Sequence, residues 1–261
     1  MSAPPALRRA QILELIRRSG GVSVAELAQA HAVSAITVHR DLEQLAGEGL
    51  VERVHGGARA IRSLDGSAAI ATAWSQRVQQ AGAAKAAIAA HAAELVHHGS
   101  TIFLDASSSA LALARRLMER PPNELTLVTN SPAIIYEGAA EPIHLVCCPG
   151  ELDQHMRMLA GRWTVEFIEQ LNFDLAFVSA AGVTLEAGLT TSRRPLADVI
   201  NAARANAERS VGLIDATKFG RASMLSIAPA RELDLILTDA GMKHTAGEYR
   251  AAGVRLEIVN D

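Results

Sequence analysis

The sequence is poor in several kinds of residue, and each shortage excludes a class of protein. Its two cysteines, Cys147 and Cys148, are adjacent, which excludes a scaffold held by several disulfides. Aromatic residues make up 3% of the chain, so its core must be aliphatic. No run of about 18 apolar residues is present to form a transmembrane helix. Residues 1–18 have no apolar run before their arginines, so we expect no secretory leader and a soluble cytoplasmic protein.

A large excess of one charge is also missing. The formal net charge is −3, which argues against a wholly basic nucleic-acid-binding surface. Residues 1–62 differ from this average, because they contain eight arginines, no lysine and six acidic residues, for a net charge of +2. The planar arginine fork suits phosphates and guanine edges, so this segment is a candidate nucleic-acid contact. On charge alone, an ordinary solvated surface explains the pattern equally well.

The sequence contains no pattern typical of a metal or catalytic centre. His91, His97 and His98 cluster near a predicted helix end, but no cysteine or carboxylate set with zinc spacing accompanies them. We interpret them as surface and helix-end residues. A disulfide between Cys147 and Cys148 would be strained, so both are expected to be buried thiols. We therefore expect no metal, no cofactor and no catalytic residues.

Residues 1–62 predict three helices followed by a hairpin. Apolar residues at helical spacing predict a first helix that stops at Ser19-Gly20-Gly21. Ser23 and Glu26 have the spacing of a capping box for a second helix, and Ser34 is a candidate cap for a third. Residues 50–54 and 58–61 predict two strands joined by a glycine turn. The apolar positions assigned to the inner face of the third helix are Ile36, Val38, Leu42 and Leu45.

This order of elements is typical of a winged helix-turn-helix, which places its last helix in the major groove of DNA. Arg40 would pair with guanine, and Thr37 and Ser34 would hold phosphate. Taken singly, Thr37 is equally explained as a first-turn hydroxyl, and Arg40 by a surface ion pair with Glu43 or Glu48. The residues that we expect to contact double-stranded DNA are Ser23, Ser34, Thr37, His39, Arg40, Arg53 and Arg59.

Residues 63–75 are small and polar and predict a linker to a second domain, residues 76–261. In this domain short aliphatic runs alternate with helical stretches, which indicates a mostly parallel α/β sheet. The runs predicted to be its strands are 102–104, 125–128, 143–147, 175–178, 211–214, 233–237 and 256–259.

Polar turns follow several of these predicted strands. Ligands of parallel sheets bind at the carboxyl ends of the strands, over helix N-termini, so these turns predict an anion-binding pocket. Lys218 would add a positive charge next to a phosphate. Any one such turn is more often only a helix cap. The residues that we assign to an effector site are Asp105, Ser107, Ser108, Ser109, Thr129, Asn130, Gly150, Gly182 and Lys218.

Several motifs resemble those of the DeoR/GlpR-type bacterial transcriptional regulators. In the first domain they are Ser34-x2-Thr37-Val38-His39-Arg40-Asp41-Leu42 and Arg53-Val54-His55-Gly56-Gly57. In the second, Ile102 to Ser109 is similar to the family's phosphate loop, and Asp215 to Gly220 to a sensor signature. The resemblance implies a repressor of a carbohydrate or related catabolic operon. It also implies a sensor domain that folds like ribose-5-phosphate isomerase and coenzyme A transferases and binds a phosphorylated sugar or related metabolite.

Three positions depart from the family pattern and set limits on this expectation. His39 replaces the first arginine of the usual recognition helix, which implies a different base preference. Ser107 replaces a loop glycine, which restricts the close approach of a ligand to the backbone, and Ala181 stands where the family often has Asp. Together they imply an effector that has fewer hydroxyl groups or is not a simple sugar phosphate. Because so small a DNA-binding module reads few base pairs, we also expect a dimer or tetramer that binds paired half-sites.

Two other functions are compatible with the residues alone. One is a sugar-phosphate isomerase-like enzyme that carries a DNA-binding module, with Lys218, Asp105 and Asp215 in acid–base roles. The missing carboxylate at Ala181 counts against it. The other is a protein-interaction module, because winged helices sometimes bind proteins; salt-sensitive DNA binding would separate that case.

Overall fold

The computed structural model describes residues 4–19, 21–47, 51–54, 56–60, 74–139 and 141–259. The chain divides into two compact units, residues 1–72 and 73–261. Most of the predicted linker lies outside the described residues, but its last two residues, Trp74 and Ser75, begin a short helix. Within the described ranges, no helix is both long enough and apolar enough to span a bilayer.

The first unit contains three helices and a small antiparallel sheet. Its helices are α1 (Pro5–Ser19), α2 (Val24–His31) and α3 (Ala35–Gly47). Its strands are β1 (Gly21–Ser23), β2 (Val51–Val54) and β3 (Gly57–Ala60), in the order β1-β3-β2. The sequence did not predict β1, which pairs with β3 so closely that a Cβ atom on Gly57 would lie 2.4 Å from the carbonyl oxygen of Val22. A glycine is therefore required at the turn end of the hairpin.

An aliphatic core holds these elements together, and it corrects one assignment. Val38, Leu42 and Leu45 are buried as predicted, and they pack with Ile12 of α1. Ile36 was assigned to the same inner face, but it is 69% exposed. Two residues along an α-helix turn through roughly 200°, so Ile36 and Val38 lie on nearly opposite sides of α3.

A buried ion pair links α1 to α3. Arg8 Nε donates to Asp41 Oδ2 at 2.6 Å, and Arg8 Nη2 donates to Asp41 Oδ1 at 3.3 Å. Both side chains are almost fully buried, and Arg9 adds a longer contact to the same carboxylate at 3.7 Å. The hydrogen bonds raise the pKa of Arg8. Because a buried charge that loses its partner is strongly destabilising, this pair fixes the position of α3.

Asp41→Asn should therefore loosen the first unit while leaving the second intact. The change removes the charge without changing the volume, so Arg8 loses the carboxylate to which it donates two hydrogen bonds. We expect amide protection in α1 and α3 to fall at least about tenfold in hydrogen exchange of the full chain. Peptides from residues 82–259 provide an internal reference. Glu43→Gln, on the exposed side of α3, is the matched control and should leave protection unchanged; equal protection in Asp41→Asn would contradict the assigned role.

The second unit is built on a seven-stranded parallel sheet with helices on both faces. Its helices are α4 (residues 74–79), α5 (Gly82–Glu94), α6 (Ser108–Glu119), α7 (Pro132–Glu137), α8 (Arg162–Ile168), α9 (Arg194–Ala205) and α10 (Ala246–Ala251). Its first strands are β4 (Thr101–Leu104), β5 (Leu125–Thr129), β6 (Ile143–Cys147), β7 (Glu151–Asp153), β8 (Met158–Ala160) and β9 (Phe173–Val178). The remaining strands are β10 (Gly182–Thr184), β11 (Gly188–Thr191), β12 (Ala207–Leu213), β13 (Leu225–Ala228), β14 (Leu235–Thr238) and β15 (Leu256–Ile258).

The main sheet has the strand order β15-β14-β12-β9-β4-β5-β6, and all its pairings are parallel. The seven predicted aliphatic runs supply its seven strands, so the predicted α/β class is confirmed. Two smaller antiparallel sheets, β7-β8 and β10-β11-β13, were not predicted. Both lie outside the seven-stranded sheet and contribute no strand to it.

The sheet is buried on both faces, which explains its continuous aliphatic strands. Ile102 and Leu104 of β4 pack into one core cluster with Leu113 of α6. Phe103, between them, points to the other cluster and packs against Phe173, with ring centroids 5.6 Å apart. The chain proceeds from β4 to β5 and β6 on one side, then returns to place β9 on the other side of β4. The boundary between β4 and β9 is therefore the topological switch point, where parallel sheets bind ligands.

Candidate DNA-binding face and effector cleft

Ser23 and Ser34 cap the two helices of the helix-turn-helix. Ser23 forms the predicted capping box: its backbone N–H donates to Glu26 Oε2 at 2.8 Å, and its hydroxyl accepts from the Glu26 N–H at 3.2 Å. The bond from the Ser23 N–H, and a second bond that the Ser23 hydroxyl donates to the same carboxylate oxygen at 2.8 Å, lower the pKa of Glu26. Ser34 Oγ accepts from the Thr37 N–H at 3.2 Å and lies 2.9 Å from Thr37 Oγ1. Both hydroxyls of the second pair therefore lie at the exposed start of α3.

One face of α3 is exposed to solvent over two turns. Ile36, His39, Arg40 and Glu43 follow the i, i+3, i+4, i+7 spacing of a helix face, and all four are exposed. Arg40 makes no ion pair within the described part of the chain, and Glu48, one of its suggested partners, lies outside that part. Among the described residues, none neutralises the guanidinium that this face presents.

Arg53 connects strand β2 to this helix through His39. Its Nη2 lies 2.8 Å from His39 Nδ1, and its Nη1 donates to the backbone carbonyl of His39 at 3.3 Å. Because a guanidinium can only donate, His39 Nδ1 must accept, and the ring proton must be on Nε2. His39 is thus held as a hydrogen-bond donor. Arg59 lies in β3, where its backbone is opposite Gly21 and Glu52, and its side chain lies outside the described set.

The second unit has a cleft of about 150 Å³ at the topological switch point. It is lined by the turns that follow β4, β9 and β12 and by the region around the start of α5. Among its lining residues are three cations and two carboxylates, namely Arg77, Lys85, Lys218, Asp105 and Asp215. Met156, Met158 and Leu196 supply an apolar wall. The structure brings together five of the residues assigned from sequence: Asp105, Ser107, Ser108, Ser109 and Lys218.

Asp105 organises the turns at the base of the cleft. Its Oδ1 accepts from the Ser107 N–H at 3.0 Å, and its Oδ2 accepts from the Ser179 N–H at 2.8 Å. The carboxyl group therefore ties the end of β4 to the end of β9. Asp105 is 1% exposed, and this burial raises the pKa of its carboxyl group. The hydrogen bonds to Ser107 and Ser179 lower the same pKa and offset part of the rise.

The N-terminus of α6 opens into the cleft. Ser107 Oγ accepts from the Ala110 N–H at 3.0 Å and caps the helix. Ser108 and Ser109 form the first turn, where backbone N–H groups have no acceptor within the helix. Together with the positive end of the helix dipole, these groups suit a bound anion.

Lys85 and Arg77 were missed by the sequence reasoning. Lys85 is 6% exposed, and its Nζ donates to the backbone carbonyls of Arg77 and Gln80. Burial lowers the pKa of Lys85, as do Lys218 and Arg77, whereas Asp215 raises it. A signal was present, because Lys85 interrupts an alanine-rich run and lies in phase with the buried Ile88 of α5.

Four of the assigned residues do not line the cleft. Thr129 Oγ1 donates to the Leu104 carbonyl at 2.7 Å, and Asn130 Nδ2 donates to the Leu159 carbonyl at 2.8 Å, so both hold neighbouring segments together. A Cβ on Gly150 would lie 2.0 Å from Thr164 Oγ1, and one on Gly182 would lie 2.3 Å from the Arg221 carbonyl oxygen. Close packing explains both glycines.

The cysteine prediction needs a correction. Cys148 is buried, and burial raises its pKa to about 12, but Cys147 is exposed. Cys147 ends β6, which is an edge strand of the sheet, so its side chain reaches solvent. Among the residues that the structure describes, no group of three His, Cys, Asp or Glu side chains is placed to hold a metal ion.

A helix-turn-helix unit combined with a cleft-bearing α/β unit defines a transcriptional regulator with a sensor domain. Residues 8–64 match the model of the DeoR-like helix-turn-helix domain, and residues 80–240 match that of the DeoR C-terminal sensor domain. This chain therefore belongs to the DeoR family of transcriptional regulators.

Relatives with names align with most of the chain. The HTH-type transcriptional regulator GlpR of Haloferax volcanii is 33% identical over 96% of this chain and 96% of its own. The HTH-type transcriptional regulator GolR of Listeria innocua is 32% identical over 97% of this chain and 98% of its own. The glycerol-3-phosphate regulon repressor of Escherichia coli K12 is 29% identical over 88% of each chain.

Two solved structures of ribose 5-phosphate isomerase A align with about half of the chain. Ribose 5-phosphate isomerase A from Methanocaldococcus jannaschii aligns over 54% of this chain and 55% of its own, with 20% identity and a TM-score of 0.39. The Neisseria gonorrhoeae enzyme aligns over 52% of each chain, with 12% identity and a TM-score of 0.37.

Proposed function

We propose that this protein is a sequence-specific repressor of a carbohydrate or related catabolic operon and that a phosphorylated small molecule controls its affinity for DNA. The observation that carries this proposal is the composition of the cleft. Arg77, Lys85 and Lys218 line the same small cavity as the N-terminus of α6. Cations and unpaired backbone N–H groups together suit a phosphate group.

In this proposal the phosphate lies on the backbone N–H groups and hydroxyls of Ser108 and Ser109. Lys218 neutralises a second oxygen. Asp105 keeps the turn in place through its two backbone contacts, and Asp215 is available to a hydroxyl of the metabolite. Ala181 contributes no carboxylate, and the wall of Met156, Met158 and Leu196 is apolar, which supports a metabolite with few hydroxyl groups.

On the DNA side, Ser34 and Thr37 hold a phosphate at the start of α3, and Arg40 and His39 reach base edges. Arg53 orients His39 from β2. Ser23 supports the same surface by capping α2, and Arg59 belongs to the wing strand β3. The salt dependence that phosphate contacts produce would distinguish this role from protein binding.

An isomerase-like enzyme is the less well supported alternative. The relatives with names are transcriptional regulators. Both carboxylate oxygens of Asp105 accept backbone N–H groups, so this carboxylate is occupied in holding turns. Turnover of ribose 5-phosphate by the full chain would favour the enzyme.

The experiment that tests the proposal has two stages. The full chain first selects duplexes from a random pool, and the affinity for an enriched duplex is then measured with phosphorylated sugars, their dephosphorylated forms, sugar acids, polyols and inorganic phosphate. We expect at least one phosphorylated compound to change the affinity about tenfold, since coupling between two sites commonly has this size. An equal response to the dephosphorylated form, or no response to any compound, would contradict phosphate sensing.

We also expect a dimer or tetramer that binds paired half-sites. One helix-turn-helix reads few base pairs, and half-sites one helical turn or more apart match a symmetric oligomer. Large exposed apolar residues such as Tyr136, Trp163 and Met224 are available for assembly in the second unit. Analytical ultracentrifugation of the full chain should show the oligomer at micromolar concentration; a monomer both with and without DNA would count against it.

A further inference from the structure

Ile36 is an unusual residue for its place in the fold. It stands in the first turn of α3 with 69% of its surface exposed, while Val38, Leu42 and Leu45 of the same helix are almost fully buried. A β-branched side chain in solvent contributes nothing to the core and slightly lowers helix propensity. The stability of the first unit therefore does not explain an isoleucine at this position.

Its neighbours on the helix surface suggest what it contacts. His39 and Arg40 follow Ile36 by three and four residues and share its exposed face, and Glu43 follows one turn later. Arg40 offers a guanidinium, and His39 offers Nε2–H because its Nδ1 faces Arg53 at 2.8 Å. Ile36 is therefore an aliphatic group placed directly beside two hydrogen-bond donors.

The major groove offers a matching pattern. Guanine presents the N7 and O6 acceptors, and thymine presents the C5-methyl group, which is the apolar group among the base edges. We infer that Ile36 determines specificity by contacting the C5-methyl group of a thymine next to the base pair that Arg40 reads. The inference rests on the proposed DNA-binding function and deepens it by naming a base that the operator must contain.

The test removes the methyl group from the DNA and the side chain from the protein. The probes are duplexes enriched by the full-length wild type, in which each thymine in turn is replaced by uracil, which keeps the base pairing and O4. For wild type we expect one thymine per half-site whose replacement weakens binding about fourfold, the equivalent of burying one methyl group. The Ile36→Ala variant should bind the thymine duplex and the uracil duplex with equal affinity, because the side chain that contacts the methyl group is absent.

Two variants control this double substitution. Ile36→Val keeps a branched side chain and should retain most of the response to uracil. Leu152→Ala removes a similarly exposed aliphatic side chain from the second unit and should respond to uracil as wild type does. Because Ile36 is exposed, Ile36→Ala should unfold at the same temperature as wild type, so lost affinity will not reflect lost folding.

The outcomes separate this inference from the proposed function. Selective DNA binding with no response to uracil at any position would overturn the role of Ile36 while leaving the function in place. A uracil effect that persists unchanged in Ile36→Ala would also overturn it, because another residue would then contact the methyl group. If wild type enriches no sequence from the pool, the proposed DNA-binding function itself fails, and the role of Ile36 fails with it.

Discussion

Arg40→Ala should abolish the discrimination between an enriched duplex and a scrambled one, while the protein remains folded. Arg40 is exposed on the same face of α3 as Ile36 and His39, and in the described part of the chain it has no ion-pair partner. A bidentate arginine–guanine contact contributes about 1–3 kcal/mol of discrimination. Binding of both duplexes at matched salt concentrations measures the effect.

Arg40→Lys is the matched control, because it keeps the charge and loses the planar fork. If Arg40 reads guanine, Arg40→Lys should bind scrambled DNA more tightly than Arg40→Ala does. It should recover little of the discrimination between the enriched and the scrambled duplex. Equal losses on both duplexes in Arg40→Ala, accompanied by a shallower salt dependence, would indicate a phosphate contact instead. No loss on either duplex would contradict the assignment of α3 as the recognition helix.

The second large effect is expected at the effector cleft. Ser108→Asp places a carboxylate in the first turn of α6, where a negative charge favours the helix but repels a bound phosphate. We expect the effector concentration needed for a response to rise more than about tenfold. DNA affinity without effector should stay unchanged. Operator binding across an effector titration gives both quantities.

Ser108→Asn separates charge from size in this experiment. Asparagine has nearly the shape of aspartate without its charge, so it should weaken the response less. A Ser108→Asp variant that responds at the wild-type effector concentration would show that the phosphate lies elsewhere. Equal weakening by both substitutions would indicate steric blocking rather than repulsion.

The strands of the main sheet could be predicted because each is buried on both faces. Such strands consist of unbroken aliphatic runs, and 102–104 and 211–214 carry that signal without any tertiary information. The strand β1 carries no such signal, since Gly21–Ser23 forms a strand only because the wing hairpin lies beside it. The small sheet of β10, β11 and β13 likewise depends on pairing between distant segments.

The effector cleft could be predicted only in part. Asp105 and the serines of α6 directly follow strand β4, so the order of the chain places them at the carboxyl end of the parallel strands. Thr129 also follows a strand, but its hydroxyl turns back to the Leu104 carbonyl, and the sequence does not indicate which way a polar side chain will turn. Lys85 approaches from a helix that precedes the sheet, so rules about strand ends overlook it.

The two units differ in a way that makes the protein convenient for optical experiments. Residues 1–72 contain no tryptophan, tyrosine or phenylalanine, so intrinsic fluorescence arises entirely from the second unit. Trp74 is nearly buried, and the Arg77 guanidinium lies 5.0 Å from the centre of its ring. Since Arg77 also lines the cleft, an anion that draws this guanidinium away would alter the emission of Trp74. The other tryptophan, Trp163, is 68% exposed, and its replacement by phenylalanine would leave Trp74 as the single tryptophan, which can be excited selectively over the tyrosines.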